Sequence, residues 1–218
     1  MAREAIDNFT SHIDHIFLLE DQVEEWKTIP GIPLKTITPI NEKELTRISG
    51  LKTPNKVLMV CDIPEEEVDL PLENDIVIYL DHIKDPGNFG TILRIADWFG
   101  WKHIVASPEC AEVWNPKVIQ SSMGAVFRVK VHEMDLIKLA EHMPDKKILV
   151  TDMEGVNVFE NAVTEPSIIV IGNESHGVSP DIKAMANGAI SIPRGAGSKM
   201  ESLNAAVATG IILAAIKN

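Results

Sequence analysis

Five polar side chains in three separated segments have the types and placement to act on a ligand: Asn88 with Arg94, Glu174, and Ser202 with Asn204. Asp85-Pro86-Gly87-Asn88 is a turn sequence after the apolar run DIVIYL, and Asn88 is placed to cap the helix that follows. On that helix Ile92, Ile95, Ala96 and Phe99 form an apolar stripe at helical spacing, which puts Arg94 on the opposite side. An arginine that stays off the core, just past the carboxyl end of a strand, stands where open α/β sheets bind ligands. A solvated surface arginine is its ordinary alternative.

The second segment, GNESHGVSP from Gly172, follows the buried-type run SIIVI. Its glycines let backbone come close to a ligand, and Glu174 adds a carboxylate at the same strand end. A plain tight loop explains the same residues. The third segment runs from Ile192 and Pro193 through a glycine-rich loop to Ser202, Leu203 and Asn204 and then into a small-residue helix. Ser202 lacks the GxSxG elbow of a hydrolase nucleophile, and helix capping is its simpler role. Neither GxGxxG nor GxxxxGK[ST] spacing occurs, which counts against dinucleotide and P-loop sites.

These segments need a frame of strand ends. From residue 75 onward, six strand-like runs (DIVIYL, HIVA, VFRVKV, KILVT, SIIVI and AISI) alternate with helices. The helices are expected from Phe89, near Pro116, near Asp135, from Pro180, and finally up to Ile216. Ser179 before Pro180 and Asn115 before Pro116 are capping signals, and Gly100 is a stop. The pattern predicts a mostly parallel, doubly wound α/β sheet. Residues 1–62 form a smaller α/β unit with strand-like HIFLL, PLKTI and KVLMV and a helix from Asn41 to Ser49. A unit of about sixty residues buries only a marginal core by itself. Residues 63–74, acidic and aperiodic with two prolines, suit a linker.

The chain of 218 residues carries a formal charge of −12, which argues against holding nucleic acid by bulk electrostatics. The acidity is uneven: residues 1–74 hold 7 basic and 15 acidic side chains, and residues 75–218 hold 13 and 17. Cys61 and Cys110 lie far apart without a CxxC motif, and the His12/His15 pair lacks further ligands nearby, so no metal is expected. The longest near-apolar run, Ala205 to Ile216, is too short to cross a bilayer, and the N-terminus has no secretion-signal order. A cytoplasmic protein without membrane contact is the expectation.

Taken together, the three segments resemble the signature of the SpoU (TrmH-type) family of the SPOUT superfamily of knotted RNA 2′-O-ribose methyltransferases. N-x-G-x-x-x-R appears as Asn88, Gly90 and Arg94; G-x-E-x-x-G as Gly172, Glu174 and Gly177; and I-P…S-L-N as Ile192, Pro193, Ser202, Leu203 and Asn204. The match spans residues 75–218. The resemblance implies an α/β fold with a C-terminal trefoil knot and S-adenosylmethionine as methyl donor, held by Ile171, Gly172, Asn173, Glu174, Ile192, Pro193 and Leu203. It implies ribosomal or transfer RNA as acceptor and a homodimer. It also assigns Arg94 to a target phosphate and deprotonation of the hydroxyl, with Asn88, Glu174, Ser202 and Asn204 orienting the reacting groups.

Two features depart from the family. The Pro193 to Ser202 loop is about two residues longer than usual and has Arg194 where methionine is common. Residues 1–62 resemble the later part of an RNA-recognition domain related to a small ribosomal protein, without its basic opening. The rival readings are an RNA-binding scaffold of the same fold without catalysis, and a doubly wound domain using another nucleotide.

Overall fold

In the computed structural model, which describes residues 1–65, 76–161 and 163–217, the β-branched runs become two separate sheets. The chain divides into two compact units, Met1–Glu66 and Glu67–Asn218. The expected linker, residues 63–74, lies mostly outside the described residues.

In the first unit, β1 (Ile13–Leu19) is central, parallel to β2 (Ile37–Ile40) and antiparallel to β3 (Val57–Cys61). Helix α1 (Ala2–Phe9) buries Ala5, Ile6 and Phe9; a short α2 (Val23–Lys27) buries Val23 and Trp26. Ile6, Ile13, Ile16, Leu18, Val23 and Trp26 make one small core. The expected strand PLKTI starts late: Leu34–Thr36 is a tight helical turn after Pro33, and pairing begins at Ile37. The Thr36 N–H donates to the Pro33 carbonyl at 3.0 Å, so this stretch closes on itself before the ladder begins. Helix α3 (Glu42–Ile48) is held by a capping box, with the Asn41 side chain accepting from the Lys43 and Glu44 amides and Glu44 answering at the Asn41 N–H.

The second unit is a six-stranded sheet with every recorded pair parallel. Its order is β6 (Lys130–Glu133), β5 (His103–Ala106), β4 (Ile76–Leu80), β8 (Ser167–Ile171), β7 (Lys147–Asn157), β9 (Gly188–Ser191). The inner strands β4 and β8 are apolar apart from Ser167 at the start of β8 and the hydroxyl of Tyr79, because both faces of a parallel sheet are covered. One face packs Ile78, Leu80, Ile104, Ile169 and Ile171 with Phe89, Ile92 and Leu213; the other packs Val77, Tyr79, Val105, Ile168 and Val170 with Leu136, Leu139 and Ile182. Each such side chain contributes about 1.5–3 kcal/mol by leaving water. The run VFRVKV does not form one strand: Ala125–Phe127 is a tight turn and β6 begins at Lys130. Strand β7 is longer than KILVT because it bulges after Thr151, and Val156 pairs again with Ile190.

Three helices pack on the first of these faces. Helix α4 (Pro86–Trp98) starts at Pro86 rather than Phe89, with Asp85 as its cap. Helix α5 (Pro116–Ser122) is capped by Asn115, as expected, through the Lys117 amide. Helix α8 (Ala205–Lys217) closes the chain against α4, where a methyl group on Gly210 would touch Ile95 at 3.6 Å. Two shorter helices, α6 (Leu136–His142) and α7 (Pro180–Met185), cover the other face. Ser179 precedes Pro180 as expected but makes no side-chain cap. Among the described residues no helix is long and apolar enough to cross a membrane.

Candidate active site

Asn88 is not the cap that the turn sequence suggested. Asp85 takes that role, its Oδ1 accepting from the Asn88 backbone N–H at 2.8 Å. That bond, helped by the nearby Lys117 ammonium, holds the Asp85 carboxyl below its ordinary range. With the cap supplied by Asp85, the Asn88 side chain is free for longer-range contacts, and it makes two. Its Nδ2 donates to Glu174 Oε1, and its Oδ1 accepts from Asn204 Nδ2 at 2.9 Å.

Asn204 is fixed in turn because its Oδ1 caps α8, accepting from the Ala206 and Val207 amides at 3.0 and 3.2 Å. The capping role suggested for Ser202 therefore belongs to Asn204. One hydrogen-bonded chain, Glu174–Asn88–Asn204, joins the loop after β8 and the first turn of α4 to the start of α8. An amide offers both a donor and an acceptor, so Asn88 links a carboxylate on one side to another amide on the other.

The glycines of the first two segments are explained by packing. A methyl group on Gly90 would meet the Val118 carbonyl at 2.5 Å and the Ser122 nitrogen at 2.9 Å, so Gly90 lets α4 lie directly on α5. A methyl group on Gly172 would run into the backbone of Gly177 and Val178. There the loop folds back on itself, with Asn173 and Gly177 exchanging backbone bonds of 3.0 and 2.9 Å. Gly177 itself has φ of +68°, open to glycine without steric cost.

Arg94 is exposed on α4, opposite the fully buried Ile92 and Ala96; Leu93, outside the expected stripe, is also fully buried, while Ile95 and Phe99 are half-buried. Six residues beyond Asn88, it lies about 9 Å further along the axis. Ser202 is exposed in the last loop. Among the described residues neither Arg94 nor Ser202 hydrogen-bonds to the Glu174–Asn88–Asn204 chain. The loop from Pro193 to Ser202 is exposed and bonded to itself, Arg194 donating to the Met200 carbonyl at 2.9 Å.

Of the other residues expected around the donor, Ile171 is buried, Ile192 half-buried, Gly172, Asn173 and Glu174 partly exposed, and Pro193 and Leu203 exposed. Reading the sequence missed Asp85, whose place one turn before Asn88 is the ordinary capping signal, and Gly155. A methyl group on Gly155 would meet Ile190 C at 2.6 Å, where the tail of β7 crosses β9. Burial pushes the Cys110 thiol pKa up, which disfavours the thiolate form that a nucleophile needs. No group of three or more His, Cys, Asp or Glu among the described residues has the arrangement of a metal site.

A parallel α/β sheet with a polar junction at the carboxyl ends of adjacent strands defines a ligand-binding domain of the doubly wound class. The particular family follows from comparison: residues 75–214 match the model of the SpoU rRNA Methylase family, and the chain belongs to that family. It is 32% identical over 178 residues, 76% of this chain and 61% of the relative, to the 23S rRNA (uridine(2479)-2′-O)-methyltransferase of Streptomyces viridochromogenes. Over 147 residues it is 35% identical to the tRNA (guanosine(18)-2′-O)-methyltransferase of Aquifex aeolicus, covering 65% of this chain and 68% of that one. Among solved structures, the AdoMet-bound rRNA methyltransferase of Sinorhizobium meliloti superposes with a TM-score of 0.80 at 25% identity, covering 99% of this chain and 84% of that one. The chain thus spans less than two thirds of the length of the Streptomyces relative.

Proposed function

We propose that this protein transfers a methyl group from S-adenosylmethionine to a ribose 2′-hydroxyl of ribosomal or transfer RNA. The observation that carries the reading is the Glu174–Asn88–Asn204 chain, which joins three distant segments at the ligand edge of a SpoU-family sheet. The relatives named above act on rRNA and tRNA, and one solved neighbour holds the donor. The strand-end loops suit that donor. Gly177 leaves open space where a side chain would stand, Ile192 and Leu203 offer apolar surface, and the surrounding backbone offers hydrogen bonds. The residues to hold it are Ile171, Gly172, Asn173, Glu174, Ile192, Pro193 and Leu203. When bound, S-adenosylmethionine supplies a methyl group on a positively charged sulfur, open to attack by an oxygen nucleophile.

The remaining work is orientation. Glu174, Asn88 and Asn204 form a preorganised junction, and holding reactants in line is a large source of acceleration. Ser202, two residues before Asn204, completes the group. The part of Arg94 is to hold the target phosphate and to lower the cost of the oxyanion that forms as the hydroxyl loses its proton to solvent water.

The same reading includes a trefoil knot and a homodimer in the cytoplasm. In support of the knot, β9 lies outside β7, yet the chain returns from it to place Asn204 against Asn88. In support of the dimer, α8 leaves Val207 51% exposed and α4 leaves Trp98 84% exposed. The N-terminal unit is assigned to RNA recognition, with Lys43 and Arg47 on one exposed face of α3.

Arg94→Ala is expected to abolish methyl transfer while donor binding, measured by calorimetry, stays within about twofold. Near-normal turnover in that variant would overturn the assignment. Sedimentation at assay concentration reads the dimer, and an active monomer counts against it.

A further inference from the structure

The loop that presents Glu174 is tied at both ends to two consecutive residues, Asp81 and His82, which have no part in the site as described above. Asp81 follows the last residue of β4, and its side chain is 1% exposed. Both of its carboxylate oxygens are engaged: Oδ2 accepts from the Ser179 backbone N–H at 2.7 Å, and Oδ1 lies 2.6 Å from His82 Nδ1. The His82 carbonyl accepts from Asn173 Nδ2 at 2.9 Å. Thus the entry of the loop, at Asn173, is held by residue 82, and its exit, at Ser179, by residue 81.

His82 itself sits at φ of +56°, a conformation that side-chain-bearing residues adopt at a cost and keep only where their surroundings fix them. Those surroundings are present. The His82 N–H donates to Ser107 Oγ at 3.2 Å, and the next residue, Ile83, bonds to the Cys110 sulfur and to the Ala111 N–H. On the ring's outer side, Nε2 lies 3.8 Å from a Glu109 carboxylate oxygen, and Lys84 acts on that carboxylate too. The ring therefore stands between a fully buried carboxylate and an exposed one, 37% exposed itself.

We propose that Asp81 and His82 are positioning residues that clamp the Gly172–Ser179 loop, so that Glu174 meets Asn88 in a fixed geometry. This rests on the functional reading above for the consequence in turnover, although the clamp itself does not. The ring's part is to give the buried Asp81 carboxyl a second partner, because a buried polar oxygen left without one is costly. Asparagine in place of His82 tests this sharply. Its Nδ2 stands at the same position along the side chain as the ring Nδ1, and asparagine tolerates positive φ. Alanine supplies neither.

Hydrogen–deuterium exchange of the full chain, without donor or RNA, reads the clamp. Methyl transfer to ribosomal and transfer RNA from cells lacking the gene reads its consequence. In Asp81→Ala the amides from Asn173 to Ser179 are expected to exchange at least about tenfold faster, with β4 and β8 unchanged. In that variant kcat should fall at least about tenfold and KM for RNA should stay within about twofold. His82→Ala should move the same way, and His82→Asn should lie within about twofold of the unaltered protein in both measurements. Equal acceleration across β4 and β8 would make Asp81 a residue of sheet stability and overturn the clamp. Unchanged loop exchange, or faster exchange with full turnover, or failure of asparagine to rescue, would overturn it too. If the unaltered protein methylates neither RNA, the functional reading fails, while exchange still decides the clamp.

Discussion

Asn88 is the residue on which the proposed site turns, because its amide serves Glu174 and Asn204 at once. Asn88→Asp keeps the size and removes the donor, setting a second carboxylate against Glu174. Two carboxylates at hydrogen-bond distance cannot both stay ionised comfortably, so one of them binds a proton more readily. At pH 8 the variant is expected to lose about a hundredfold in kcat, as removal of a single preorganised contact in a closed site often does. Lowering the pH supplies the shared proton and restores a donor, so the deficit relative to the unaltered protein should shrink as pH falls towards 5. A deficit that is constant across that range would mean that the Asn88–Glu174 contact does not matter to the reaction. At this scale the sequence was partly legible. Asn88, Glu174 and Asn204 stood out by type and spacing and do meet. That Asp85 rather than Asn88 caps α4 was not evident, since both residues are good caps and only the start of the helix at Pro86 decides between them.

At the scale of elements, Gly90 and Gly195 make a paired test of what the glycines do. Gly90 lies where α4 rests on α5, and an added methyl group would press on the Val118 carbonyl and the Ser122 nitrogen, backbone atoms that cannot swing aside. Gly195 lies in the last loop with nothing within 4 Å of such a methyl group. Gly90→Ala should therefore destabilise the protein by about 1–3 kcal/mol, the usual cost of overpacking, whereas Gly195→Ala should fall within about 0.5 kcal/mol of the unaltered protein, as surface changes do. Denaturant titrations of both variants check this, and equal stabilities would refute the packing role of Gly90.

The alternation of strand and helix was readable from period and turn residues, and five strands of the larger sheet fall where expected, while β6 shares only Lys130 and Val131 with the expected run. What the sequence concealed were places where tertiary contact overrides local pattern. Val126 and Phe127 read as strand yet join a tight turn, and Leu34 to Thr36 do the same after Pro33. The second pairing of β7 with Ile190 depends on Gly155 lying against β9, a contact between residues far apart in the chain that no local window contains.

For the whole molecule, the net charge of −12 constrains how RNA would be held under the proposed function. A protein that relied on many phosphate contacts would present a strong excess of lysine and arginine; here basic residues are outnumbered even in residues 75–218. Under the proposed function, recognition would rest on a few placed cations, Arg94 on α4 among them, together with shape and base contacts. Each neutralised phosphate of a single strand adds about 0.7 to the steepness of log K against log salt concentration. With about three to five such contacts the slope should lie between about −2 and −3.5, and Arg94→Ala should make it shallower by about 0.7. Fluorescence anisotropy with labelled RNA between about 50 and 200 mM salt measures both values. A slope steeper than about −6 would require an extended basic surface that this composition does not supply, and an unchanged slope in Arg94→Ala would remove that residue from the phosphate.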